Sequence, residues 1–131
     1  MKLRACSVIL CLFFSKLSYG CYISATFPVQ LTNSGASFGS VRNTNFGIGM
    51  GVSVELNSEK PKINFDLPGS SKYLVTYTGN VSSVAVYSGK EKVFEGKTEE
   101  SIEVSGGKVS VVFIEWESGT LAASAKGNCL G

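Results

Sequence analysis

The sequence predicts an all-β fold, an antiparallel β-sandwich of about eight to nine short strands. Three observations carry this. Apolar residues recur with period two along most of the chain, Gly or Pro turn signals break that pattern at roughly even spacing, and no segment shows a helical stripe. At 131 residues there is room for one domain and one core.

The elements follow in order. Ile23, Ala25, Phe27, Val29 and Leu31 alternate with Ser24, Thr26 and Gln30, and Pro28 marks an edge strand or a bend. Asn33 to Gly51 is rich in Gly, Ser and Asn, with Phe38, Val41 and Phe46 as its sizeable side chains, and reads as a long connecting loop, with room for a short strand at Ser37 to Arg42. Ile48, Met50, Val52, Val54 and Leu56 form a second alternating set, closed by Asn57 to Pro61. Ile63 to Leu67 runs up to Pro68-Gly69, and Tyr73 to Tyr77 runs up to Gly79-Asn80. Val84 to Tyr87, Lys92 to Glu95 and Glu100 to Val104 follow, each ended by a glycine turn. Val109 to Trp116 is nearly continuously apolar through Ile114 and predicts a central strand buried on both faces; Thr120 to Lys126 completes the set.

The first twenty residues stand apart. Met1 to Arg4 is a positive head, Ala5 to Phe14 an apolar run, and Ser15 to Gly20 a polar stretch ending in small residues, which is the anatomy of a secretory signal peptide. The run is shorter than the ~20 residues of a spanning helix, so no stable membrane anchor is expected. Cleavage is expected after Gly20, leaving residues 21–131 as a single secreted, extracellular β-sandwich domain. The leader takes three cations and Cys6 and Cys11 with it, turning the formal charge from +2 to −1. Cys21 and Cys129 remain, and in an oxidising compartment they are expected to form a disulfide worth about 4–5 kcal/mol in the chain-entropy model.

Composition narrows the chemistry. The chain has no histidine, which removes Ser-His-Asp and Cys-His catalysis and His-ligated metals. With 17% charged residues and no basic run, nucleic acid is not an expected partner. Phe46-Gly47-Ile48-Gly49-Met50-Gly51 superficially matches a phosphate loop, but a strand pattern follows it and no lysine is near, so close packing at its glycines is the reading preferred. Glu91, Glu95, Glu99, Glu100 and Glu103 cluster among Lys90, Lys92 and Lys97. They fit a solvated hairpin of mixed charge better than the paired carboxylates of a glycan hydrolase. No cofactor and no metal are expected. Asn80-Val81-Ser82 is an N-x-[ST] sequon at a turn, making Asn80 the expected glycosylation site. Trp116, Tyr73, Tyr77, Tyr87 and Phe94 are candidates for a platform that stacks on sugar or protein, but each occupies an alternating strand position and most read as core.

Val84-Ala85-Val86-Tyr87-Ser88-Gly89, then Ile102 to Gly107, then Val109 to Phe113 give an order of features that resembles a CUB domain, over about Tyr73 to Ala125. The positions matching the family's calcium ligands are Ser82 and Ser88, so the resemblance implies no calcium site. Immunoglobulin-like and jelly-roll sandwiches fit the strand pattern as well. The resemblance implies a recognition module. Together with the leader and the missing histidine, it predicts a non-enzymatic protein that binds an extracellular protein or glycan, in host defence or host–parasite contact. A carboxylate-based glycan hydrolase and a self-associating coat or matrix subunit are the alternatives. The expected binding loop runs from Asn33 to Gly47 and includes Phe38, Arg42, Asn43, Asn45 and Phe46.

Overall fold

The computed structural model describes residues 20–56 and 59–127. Residues 1–19 of the expected leader, and Cys129 of the expected disulfide, lie outside the described residues. Nine strands are formed: β1 (Cys21–Thr32), β2 (Gly35–Phe38), β3 (Arg42–Phe46), β4 (Gly51–Glu55), β5 (Lys62–Thr78), β6 (Val81–Ser88), β7 (Glu91–Gly96), β8 (Ile102–Trp116) and β9 (Gly119–Gly127). There is no helix among the described residues. Every pairing is antiparallel, in the order β2-β1-β9-β5-β8-β6-β7, with β3 added to β1 and β4 to β5.

Two long strands turn this sheet into a sandwich. The first half of β5, Lys62 to Leu67, pairs with β4 and with Gly107 to Val112 of β8; its second half, Lys72 to Thr78, pairs with β9 and with Ile102 to Ser105 of β8. The register breaks between Leu67 and Lys72. Both strands therefore bend together from one layer into the other, at Pro68-Gly69 and Gly106-Gly107. The bends touch so closely that a Cβ on Gly106 would lie 2.4 Å from the Gly69 carbonyl oxygen. One layer holds β3, β2, β1, β9 and the halves of β5 and β8 that follow and precede the bend; the other holds β4, the remaining halves, β6 and β7.

The inward faces are the alternating apolar sets. Cys21 to Val29 on β1, Leu121, Ala123 and Ala125 on β9, and Tyr73 and Val75 on β5 meet Ile63, Phe65, Val84, Val86, Val109, Val111 and Phe113 from the other layer. Phe27 crosses between layers to Phe113, ring centres 6.0 Å apart and edge to face. Among the described residues the buried set contains no polar or charged side chain beyond the Tyr73 hydroxyl, which donates to the Pro68 carbonyl at 2.7 Å and ties the bend to the core.

The strand count matches the expectation for partly different reasons. The sequence pattern splits β5 and β8 in two at their glycines, whereas each is one bent strand. Conversely, the loop expected over Asn33 to Gly47 forms β2 and β3, which pair with opposite ends of β1. Pro28 lies in a strand flanked on both sides, at the changeover between those two partners, where the Gly39 N–H donates to its carbonyl and no ladder bond needs its missing N–H. Ile48 does not start a strand: it stands in the β3–β4 turn and is 95% exposed. β8 is central, but Val112 and Ile114 on its outer face are only half-buried, because a two-layer sandwich has nothing to cover that face.

Candidate functional site

The sandwich has two unlike ends. At the corner end, β5 and β8 bend and the β3–β4 turn crosses between layers. The far end carries the β1–β2 hairpin, the Gly79-Asn80 turn, the Glu117-Ser118 turn and the approach to Pro61. Bonds among these far-end segments hold them in place. The Leu31 N–H donates to Ser118 Oγ at 2.8 Å, the Glu117 N–H donates to the Asn80 carbonyl at 2.9 Å, and the Phe113 N–H donates to the Pro61 carbonyl at 3.0 Å.

An open groove of about 500 Å³ lies at this end, between the β1–β2 hairpin and the last residues of β8. Leu31, Ala36, Ile114 and Trp116 give it apolar lining, and Thr32, Glu59 and Glu115 give it polar lining beside Gly35; among the described residues no Lys or Arg lines it. Leu31 is 47% exposed. Period-two counting from Phe113 would put position 115 inside and Trp116 outside. The β6–β8 register shifts between Ser83 and Val84 as Phe113 gives way to Glu115, and this irregularity reverses the alternation. Glu115 is consequently exposed, while Trp116 packs half-buried against the core. Its ring meets Phe38 at 6.1 Å, and Phe38 meets Phe27 at 5.9 Å, so an aromatic chain runs from core to groove.

The expected binding residues are split by the fold. Asn33 sits in the β1–β2 turn and Phe38 supports Trp116, both at the far end. Arg42, Asn43, Asn45 and Phe46 lie along β3, paired with β1, and lead toward the opposite end. Asn45 Nδ2 donates to the Met50 carbonyl at 3.3 Å, which braces the β3–β4 turn. These residues are therefore strands on a sheet margin, not one loop. Leu31 and Ile114 were missed as site residues, and Trp116, a candidate for stacking, read rather as core, because a strand pattern reads as core until its bulges and its uncovered face are known.

A second hollow, of about 420 Å³, lies on the outer face over β4, β5 and β8 and is lined by Gly51, Ser53, Asn64, Asp66, Lys108 and Ser110 among others. Its polar groups largely answer one another. Asn64 Nδ2 donates to Glu55 Oε2 at 2.7 Å, Ser110 Oγ donates to Asn64 Oδ1 at 2.8 Å, and Asp66 faces Lys108 at 3.8 Å. The Asn64 amide, then the Lys62 ammonium at 3.5 Å, hold the Glu55 carboxyl below the usual carboxylate range. A face whose groups are already paired has less to offer a ligand than the far-end groove.

The clustered glutamates are dispersed. Glu91 and Glu95 lie on β7, Glu99 and Glu100 in the connection after it, and Glu103 on the part of β8 that belongs to the other layer. Glu95 is hydrogen-bonded to Lys92, which lowers the glutamate's pKa and raises the lysine's. Among the described residues no group of three or more Asp, Glu or Cys is placed to hold a metal ion. Tyr73 is core, whereas Tyr77, Tyr87, Phe94 and Trp116 are half-buried. Asn80 is exposed, with Nδ2 donating to the Ser118 carbonyl at 2.9 Å. Cys21 is fully buried.

What the fold and groove define is an antiparallel β-sandwich with an open groove of mixed apolar and polar lining at one end. No family model and no curated protein matches the chain. Among solved structures, the cupin domain of Schizosaccharomyces pombe Cnp3 is similar over 79% of this chain and 88% of its own, at 11% identity and a TM-score of 0.31, which is too low to bear on fold or function.

Proposed function

We propose that the protein is a secreted, non-enzymatic recognition module that takes a segment of an extracellular protein in the far-end groove. The observation that carries this reading is the pairing of exposed Leu31 with half-buried Trp116 in an open groove braced by the aromatic chain behind it. An aromatic anchor on a rigid support costs little ordering entropy when a partner docks. The signal-peptide pattern, the absence of histidine and the CUB-like order of features over Tyr73 to Ala125 support the same reading.

The test compares the mature chain with its Leu31→Asp variant, immobilised and exposed to extracellular material from the source organism, with the retained species identified. Leu31 is at the surface, so the variant should fold. Retention of a protein by the wild type and its loss in the variant is expected. Equal retention by both, or retention of protein-free glycan alone, defeats the reading. Trp116, the chain's single tryptophan, gives a second readout, because its emission should shift as the identified partner is titrated.

A further inference from the structure

At the corner end, Phe46 to Gly51 forms a turn that the groove leaves unused. Gly47 and Gly49 have φ of 145° and 85°, values that side-chain-bearing residues rarely adopt. The turn is also packed from beneath: a Cβ on Gly47 would lie 2.8 Å from Met50 Sδ and 2.9 Å from Cys21 Sγ, and Met50 is buried. Gly49 comes within ordinary contact distance of Pro68 at the β5 bend. The backbone is thus seated on the core while Ile48, between the two glycines, is 95% exposed. Nothing in the packing of the sandwich calls for an isoleucine there.

The register puts more apolar surface beside it. Phe46 is opposite Tyr22, Tyr22 opposite Lys126, and Lys126 opposite Leu74, one outward row across β3, β1, β9 and β5. Phe46 is 61% and Leu74 45% exposed. Three of the exposed large apolar side chains therefore gather at this end. Lys72 and Lys108 are exposed at the same end; Asp66 faces Lys108, and Glu103 lies opposite Leu74 at the far margin of the row.

We propose that the β3–β4 turn is a membrane-docking tip that inserts Ile48 and Phe46 into the interface of a bilayer containing anionic lipid, with Lys72 and Lys126 near the headgroups. Exposed apolar side chains beside lysines call for a partner with an apolar interior beneath anionic charge, and a bilayer containing anionic lipid offers both. Apolar side chains flanked by a tyrosine and lysines match the layering of the interface, where the rings and lysine stems sit between chains and water. A few inserted side chains give reversible attachment, consistent with a secreted protein. The proposal does not depend on the far-end groove.

Cosedimentation of the mature chain with vesicles of phosphatidylcholine containing phosphatidylserine tests it. The wild type should sediment with the vesicles, and Ile48→Asp should lower the fraction bound by about tenfold, since it replaces an inserted apolar side chain with a charge. Lys72→Gln should weaken binding and flatten its salt dependence. Leu31→Asp, at the opposite end, should bind as the wild type does. Absence of wild-type binding, or equal binding by Ile48→Asp, overturns the proposal. So does self-association that Ile48→Asp abolishes without any vesicle binding, because the tip would then serve a second copy of the chain.

Discussion

Gly106→Ala should destabilise the fold although it adds a single methyl group to a half-buried position, because the obstacle is backbone. The new Cβ would lie 2.4 Å from the Gly69 oxygen and 3.1 Å from the Pro68 oxygen, where ordinary contacts begin near 3.4 Å. The two bends must therefore separate by about 1 Å. Neither can yield by turning a side chain, so the cost belongs near the top of the ~1–3 kcal/mol range for overpacking. The loss of chain entropy in the unfolded state returns ~0.4–1 kcal/mol, since Gly106 does not need a positive φ. The net is about 2 kcal/mol, which at ~2.1 cal/mol/K per residue for a domain of about 110 residues is a fall in Tm of about 9 °C. Urea and thermal unfolding followed by circular dichroism would measure it. Gly107→Ala is the comparison, since its Cβ enters open space and its φ of 120° makes the penalty purely conformational, about 1–2 kcal/mol. A Gly106→Ala variant within about 0.5 kcal/mol of wild type, the range of neutral surface changes, would show that the bends do not press on each other and would refute the reasoning.

Other measurements check separate parts of the molecule. Burial raises the Tyr73 pKa above its ordinary value, so its contribution to stability is complete below the unfolded pKa near 10 and is lost as pH climbs toward the folded value; a spectrophotometric titration should show one tyrosine ionising late and together with alkaline unfolding. Early ionisation of all tyrosines in folded protein would contradict it. Glu55 and Glu95 are held low by their Asn64 and Lys92 bonds, so their contribution is present above the unfolded pKa and falls away as pH drops through the folded one. Carboxyl chemical shifts followed by NMR should place both midpoints below that of an unpaired glutamate. Cys21 is expected to form a disulfide with Cys129, two residues past the Gly127 that lies opposite Cys21 in the β1–β9 ladder; intact mass before and after reduction and alkylation should show the pair, and Cys129→Ser should cost about 4 kcal/mol. Secreted from a eukaryotic host, the chain should carry a glycan mass that Asn80→Gln removes, and an unchanged mass would exclude modification there.

The inward faces were legible in the sequence because alternation is local. Ile23 to Val29, Ile63 to Leu67 and Leu121 to Ala125 each declare their buried side through their own spacing, and the tertiary structure leaves it unchanged. The groove was not legible. Its tryptophan turns inward only because a register irregularity against β6 reverses the alternation after Phe113, and nothing in Ile114-Glu115-Trp116 itself announces one. Leu31 continues the β1 alternation without a break, yet stands exposed because it extends past the region that the opposite layer covers.

The all-β class, the buried side of each alternating run, the missing histidine and the position of the sequon are properties of composition and near-neighbour spacing, and the sequence by itself determined them. Only the tertiary structure decided that two pairs of apparent strands are two bent ones, that the Asn33 to Gly47 segment pairs along β1, and that Ile48 projects while Met50 plugs the core. The physical reason is that a glycine pair in a strand pattern has two solutions, a turn that ends the strand or a bend that carries it into the next layer. The choice depends on the other bend that packs against it, some 37 residues away between Gly69 and Gly106.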